Sequence, residues 1–289
     1  MSQYTKKNFD IDFTTKWLSA TLALISISIV FLIIIFLLKE SFQALGSVGS
    51  SGFFNASKWL PDPEASNGTF GVSHLVLGSL LVSLFSILIA APIGILCSIS
   101  MSFYLKDKVY KICILAVELL AGIPSVVLGL WGLMFLAPII NTFSKTGLNV
   151  LTAALVLALM ILPTIILSSI HILKESAKKT IESSLALGIS KESNILQIVL
   201  PISRPGLGIA LLLALTRAVG ETMVVVMLCG NIAQTPKSIL DPVRTLTANI
   251  ALEMSYAYGD HRSALFFTGF LLMAIVAVFL LSLEILKNK

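Results

Sequence analysis

Arg217 and Glu221 stand in the run Thr216-Arg217-Ala218-Val219-Gly220-Glu221-Thr222-Met223, inside a long apolar stretch. Arg217 lies 13 residues beyond Arg204, about 20 Å along a helix. That is near mid-depth if the stretch crosses a bilayer. A lone arginine there costs at least about 2.5–3.5 kcal/mol on insertion scales. Such a charge must face protein or a water-filled path. Glu221 is four residues on, so the two side chains share a helix face and can pair. Two chemistries fit. One is an ion pair that offsets its own burial, or closes a gate by gripping another helix. The other is an anion site, because the planar guanidinium meets oxyanion oxygens two at a time.

A second pattern lies in residues 174–205. It reads Glu182-Ser183-Ser184-Leu185-Ala186-Leu187-Gly188, then nine residues, then Ile198-Val199-Leu200-Pro201. This predicts two short helices. The first runs over 174–187 and ends at Gly188, whose lack of a Cβ permits a sharp turn. Ser190 caps the second, which ends near Val199, and Pro201 breaks the chain before the next apolar run. Small residues at Ser183, Ser184, Ala186 and Gly188 let another surface approach. Ile181, Leu185, Ile195 and Ile198 offer it apolar contact. A loop lying on a membrane surface fits equally well on the residues alone.

Other chemistry is not signalled. There is no phosphate-binding G-x-x-x-x-G-K-[ST] loop, no H-E-x-x-H, no G-x-S-x-G and no carboxylate pair beside a histidine. Cys97, Cys113 and Cys229 fall in apolar segments without ligand spacing and read as small buried residues. His74, His171 and His261 are far apart and sit near the ends of apolar runs, which fits interfacial or capping roles. No metal, cofactor or enzymatic site is expected.

The elements that must position these residues are apolar. The 289 residues are 56% hydrophobic and only 12% charged, about half the charge of a soluble domain. Lipid must therefore solvate much of the surface. Six runs are long enough to cross: Trp17–Leu38, Val72–Tyr104, Ile112–Ile140, Leu148–Leu173, Gly206–Gly230 and Ala264–Leu286. The second and third exceed the needed length and are expected to tilt or project. The first follows a polar lead and exceeds a signal-peptide core, so a retained helix is expected. With the N-terminus inside, 13 of the 20 basic residues fall on inner segments, six on outer ones, and Arg217 within a span. The positive-inside rule then puts both termini in the cytoplasm. The net charge of +5 sits in short clusters between spans, a pattern that does not point to nucleic acid.

The organisation expected is a cytoplasmic segment 1–16, a first transmembrane helix 17–38, an external loop 39–71 and a core 72–286. The core holds five transmembrane helices and the cytoplasmic 174–205 segment. Phe53, Phe54, Trp59, Leu60 and Phe70 are costly to leave in water, so part of the outer loop must rest on the membrane or pack on helices.

The spacing Glu–small–small–x3–Gly–x9–Ile–x–Leu–Pro resembles the cytoplasmic signature of permease subunits in binding-protein-dependent ABC importers. Ser183 and Ser184 stand where that family usually has alanines, and remain small. The run Thr216–Asn231, TRAVGETMVVVMLCGN, looks like the fifth-span signature of phosphate-specific transport permeases of the PstC type. The third span, Glu118-Leu-Leu-Ala-Gly-Ile-Pro-Ser-Val-Val127 with Gly129 and Gly132, and the outer approach to the second, Trp59…Phe70-Gly71…Gly78, also resemble that family. The resemblance covers about residues 55–285.

It implies an all-α integral membrane fold of six transmembrane helices, in the type I ABC importer permease (MetI-like) architecture, in the bacterial cytoplasmic (inner) membrane. It implies import of inorganic phosphate, with Arg217, Glu221 and Thr222 lining or gating the path. Glu182, Ser183, Ser184, Gly188, Ile198, Leu200 and Pro201 would engage an ATPase. Gly122, Pro124 and Ser125 form a turn with a packing or gating role. The implied partners are a sister permease in a heterodimer, two ATPase subunits, an external phosphate-binding protein and the lipid bilayer. A permease of the same architecture for sulfate or molybdate is the alternative. A proton-driven transporter using Glu221 and a membrane scaffold fit the motifs less well.

Overall fold

The computed structural model describes residues 2–47, 49–55, 58–61, 69–186 and 188–287. Helix α1 (Ser2–Ser47) is longer than the expected 17–38 span. The most apolar 18-residue window of its stretch Thr15–Phe42 has a mean hydropathy of 3.1, and none of that window is buried. A helix apolar on every side and uncovered has lipid as its solvent. It meets the rest of the chain along α12 (Gly259–Lys287), where Phe36 packs edge-on to Phe266 with ring centroids 5.4 Å apart.

Helix α2 (Gly49–Asn55) leads to a short antiparallel hairpin, β1 (Trp59–Leu60) and β2 (Thr69–Phe70). Strand alternation turns Trp59 and Phe70 inward and Leu60 and Thr69 outward. Of the five aromatic and apolar residues expected to leave water, Phe53, Trp59 and Phe70 are buried. They pack with Val72, Leu75, Leu246 and Leu265. Phe54 and Leu60 stay exposed.

Helix α3 (Ser73–Phe103) follows. Its inward serines Ser79, Ser83, Ser86 and Ser98 bond back to carbonyls of their own helix, so they bury without an unpaired hydroxyl. Gly94 admits a close neighbour: a Cβ there would stand 2.7 Å from Ile165 Cγ2. That neighbour belongs to α7 (Val150–Ala186), the central helix. Two-thirds of its most apolar window is buried, 67% against 28% for α3.

The third apolar run departs from the single tilted or projecting span expected of it. It forms α4 (Asp107–Gly122), α5 (Ser125–Trp131), a π-helical turn Gly132–Leu136 and α6 (Ala137–Asn141). The two halves are bent by 92°. Ile123 and Pro124 are both extended, with ψ of 127° and 139°. A residue before proline avoids the helical region, and proline has no N–H to continue the ladder. Among the described residues five helices are thus long and apolar enough to cross a membrane, or six if the bent pair counts as one.

The fifth run is also interrupted. After α8 (Lys191–Asn194) and a π-helical turn (Ile195–Val199) comes α9 (Leu200–Gly220), which stops one residue short of Glu221. Helix α10 (Met223–Leu228) resumes two residues later. An irregular stretch leads to α11 (Leu246–Glu253) and α12. The hairpin lies before α3, and Lys191 donates to the carbonyl of Phe103 at its far end. The two regions are therefore separated by 31 residues of helix, about 46 Å.

Candidate functional site

Arg217 is exposed in the last turn of α9. Its Nη1 donates to Thr164 Oγ1 of α7 at 3.0 Å. Thr164 is the middle residue of the 29-residue span Val150–Lys178, which supports the mid-depth placement. The expected pairing with Glu221 does not occur: among the described residues no ion pair joins them. Glu221 is extended, with ψ 136°, so the one-turn spacing no longer sets both side chains on one face. Instead Glu221 Oε1 accepts from the N–H groups of Met223 at 3.0 Å and Val224 at 3.4 Å. It thereby caps α10, where an anion is favoured by the free N–H groups and the helix dipole. The half-buried Thr222 provides no side-chain cap. An uncompensated cation at this depth must face something other than lipid.

The 174–205 segment is placed differently from expectation. Its first helix is the end of α7, not a separate element. Gly188 takes φ +74° and Ser190 caps α8, its Oγ accepting from Ser193 N at 3.3 Å. Pro201 does not break the chain but sits in the first turn of α9. The preceding π-helical turn, with Leu200 N bonded to Ile195 O, supplies a wider ring into which a residue without an N–H can follow. Ser184 is buried and bonded by Asn194 Nδ2, so it closes the turn from within. Ile195 is 1% exposed and belongs to the core. Ile198, Leu200 and Pro201 are half-buried, Gly188 is exposed, and Leu196 is exposed without having been anticipated. The side chains of Ile181, Glu182, Ser183, Leu185 and Ala186, and all of Leu187, lie outside the described residues.

The Gly122-Ile123-Pro124-Ser125 turn is the 92° bend itself. A Cβ on Gly122 would meet nothing within 4 Å, whereas one on Gly129 would stand 2.9 Å from Met227 Sδ. Close packing therefore falls to Gly129 and not to Gly122.

One polar cluster had no sequence signal. Glu253 is 4% exposed. Its Oε1 pairs with Arg244 Nη1 at 2.5 Å, and its Oε2 lies 2.8 Å from His261 Nε2 and accepts from Trp59 Nε1 at 2.6 Å. Arg244 also donates to Asn249 Oδ1 and to the carbonyl of Asn231. Burial beside this cluster, and then the Glu253 carboxylate, hold the Tyr256 phenol above its ordinary value. His261 thus binds a carboxylate where a boundary or capping role was expected. His74 is buried with neither ring nitrogen partnered among the described residues.

The arrangement is that of a membrane-embedded subunit with one charged break inside a helical bundle. A profile of the family described as "Binding-protein-dependent transport system inner membrane component" matches residues 90–289. The chain belongs to that family. It is therefore a multi-pass inner-membrane component of an ABC transporter and not an enzyme; the family implies a separate ATPase and a binding protein as partners.

Among its relatives, the "Probable ABC transporter permease protein YqgH" of Bacillus subtilis is 35% identical over 92% of this chain and 88% of that one. The "Phosphate transport system permease protein PstC" of Mesorhizobium japonicum is 33% identical over 84% and 80%. In fold, the chain is similar to a chain of the inward-facing MetNI methionine ABC transporter. The TM-score is 0.55 at 21% identity, covering 75% of this chain and 94% of that one.

Proposed function

We propose that this chain is the transmembrane permease subunit of an ATP-driven importer that moves inorganic phosphate into the cytoplasm. The observation that carries the reading is the exposed Arg217 guanidinium, bonded to Thr164 at the middle of the α7 span and not paired with Glu221. A planar fork with donors to spare is suited to phosphate oxygens. The phosphate-transport relatives support the substrate.

Arg217, Glu221 and Thr222 line or gate the path. Glu221 Oε1 is occupied by the α10 cap, and Oε2 serves as acceptor for the P–OH of phosphate, a group that sulfate lacks at neutral pH. Gly122, Pro124 and Ser125 provide the bend at which α4–α6 pack or move. The sister permease supplies the facing half of the path in a heterodimer.

The 174–205 segment docks one of two ATPase subunits through Glu182, Ser183, Gly188, Ile198, Leu200 and Pro201. Ser184 shapes that surface from behind, through its bond with Asn194. Both termini, with residues 1–16, are cytoplasmic, 17–38 is the first crossing, and 39–71 faces the external phosphate-binding protein.

Uptake of radiolabelled phosphate tests this, in cells lacking their own high-affinity system and supplied with this chain and its partners. Uptake that resists sulfate and molybdate, yields to arsenate and disappears in Arg217→Ala is the expected result. Competition by sulfate or molybdate would move the substrate to those oxyanions. Wild-type uptake in Arg217→Ala would remove Arg217 from the path.

A further inference from the structure

Three separate parts of the chain meet at the Glu253 carboxylate: Trp59 of the hairpin, Arg244 before α11, and His261 of α12. Trp59 lies 194 residues away in sequence, so no local rule requires this contact. The indole is already held by packing on Phe70, with ring centroids 5.4 Å apart. What the N–H bond adds is a fixed orientation of the hairpin on the end of α11.

The other end of α11 is also tied. Thr245 caps it, accepting from Ala248 N at 3.1 Å, and Leu246 N donates to Ser79 Oγ of α3 at 2.9 Å. Thr247 Oγ1 donates to the carbonyl of Glu221 at 2.9 Å. Helix α11 has eight residues, about 12 Å of length. One end therefore holds the peptide of Glu221, at the turn just beyond Arg217. The other holds the indole of the hairpin.

We infer that α11 is a strut that carries displacement of the hairpin to the Arg217–Glu221 turn, with Glu253 and Thr247 as positioning residues at its two ends. The inference rests on the importer reading above, in which the hairpin faces the external binding protein. A contact made by that protein on β1 and β2 pulls on Trp59, then on Glu253. Because α11 is short and hydrogen-bonded at both ends, it moves as one piece and shifts the Glu221 carbonyl. Arg244 and Asn249 keep the carboxylate aimed at the hairpin. Coupling of this kind is shown by the behaviour of paired variants, not by proximity.

The test uses the assembled importer in proteoliposomes. ATP hydrolysis is measured with and without the binding protein loaded with inorganic phosphate. Trp59→Phe keeps the apolar ring and removes the N–H; Thr247→Val keeps the shape and removes the hydroxyl. Each is expected to leave basal hydrolysis unchanged and to lower the stimulation about fivefold, the factor corresponding to one net hydrogen bond. The double variant is expected to lose about fivefold as well, since both changes cut one series path, where independent sites would multiply to about 25-fold. Stimulation equal to wild type in either single variant, or multiplied losses in the double, overturns the strut. So does an equal fall of basal and stimulated rates, which marks a merely structural role. If Trp59→Phe does not assemble, Glu253→Gln, which leaves the indole N–H a weaker acceptor, takes its place beside Thr247→Val and in the double variant. A wild-type complex that is not stimulated at all overturns the importer reading and the strut with it.

Discussion

The chain contains two arginine–glutamate sets that differ in almost every physical respect. Arg217 and Glu221 are four residues apart and do not pair; Arg244 and Glu253 are nine apart and do. Helix continuity explains this. The one-turn rule holds only inside an unbroken helix, and α9 ends at Gly220. Asn249 and Glu253, by contrast, share one continuous helix and one face, along which the Arg244 side chain lies. The second set is closed: each charge has its partner within the chain, and Glu253 is buried. The first is open: Arg217 is exposed, bonded to Thr164 and without an ion pair among the described residues. A closed set contributes to architecture, and an open set is the one that the phosphate-path proposal uses.

The comparison breaks if the two sets respond alike to mutation. The largest expected effect is on the closed one. Glu253→Leu strands Arg244 beside an apolar side chain, and removing one partner of a buried pair costs about 3–5 kcal/mol. Thermal unfolding in detergent is expected to fall sharply, whereas Arg217→Ala should unfold near the wild-type temperature while losing uptake. Equal loss of stability in both would mean that Arg217 too is part of the framework.

Gly78→Ala probes the same closed region from α3. A Cβ there would stand 2.6 Å from the carbonyl oxygen of Arg244, and backbone cannot rotate away as a side chain can. Forcing the added methyl into place costs about 1–3 kcal/mol. Because the clash pushes Arg244 from Glu253, Gly78→Ala and Glu253→Gln should be non-additive in unfolding experiments. Strict additivity would separate Gly78 from the cluster.

In the open set, Glu221→Gln is expected to be milder for the fold. An amide oxygen still caps α10, so the loss stays within about 1 kcal/mol, the usual worth of a cap. Its effect should appear instead in selectivity, as sulfate becoming a competitor of phosphate uptake. Unchanged selectivity would confine Glu221 to capping.

The same contrast explains what was legible beforehand. Spans announced themselves, because lipid demands long apolar runs and nothing else produces them. Arg217 was legible because a charge in such a run is anomalous, and Ser190 and Gly188 because capping and left-handed turns depend on local residue type. The interruption at Glu221 was not: Gly220 and Glu221 carry no obligate break. The 92° bend at Pro124 was legible as a turn but not in its size. The Glu253 cluster was hidden because its members come from positions 59, 244, 253 and 261. Trp59 reads alone as a ring to be kept from water, His261 as a boundary residue, and Arg244 and Glu253 as ordinary residues of a polar connection; only the fold brings the four together. Ile195 and Ser184 show the converse: both looked available to a partner, and both turned inward.

The smallest effect expected on the isolated chain separates open from closed most sharply. A Cβ on Gly122 would meet nothing within 4 Å, and α4 has no buried residue. Gly122→Leu should therefore change the stability of this chain alone by no more than about 0.5 kcal/mol, as for a surface site. If the bend between α4 and α5 is where the sister permease packs, the added side chain obstructs a neighbour that the single chain does not contain. Recovery of the assembled heterodimer should then fall while the unfolding temperature of the isolated chain stays fixed. A variant that assembles normally would assign the bend to lipid; one that lowers stability of the chain by itself would mean that α4 packs more closely than its exposure indicates. The three outcomes are separable because Gly122, unlike Gly78, has no contact of its own to lose.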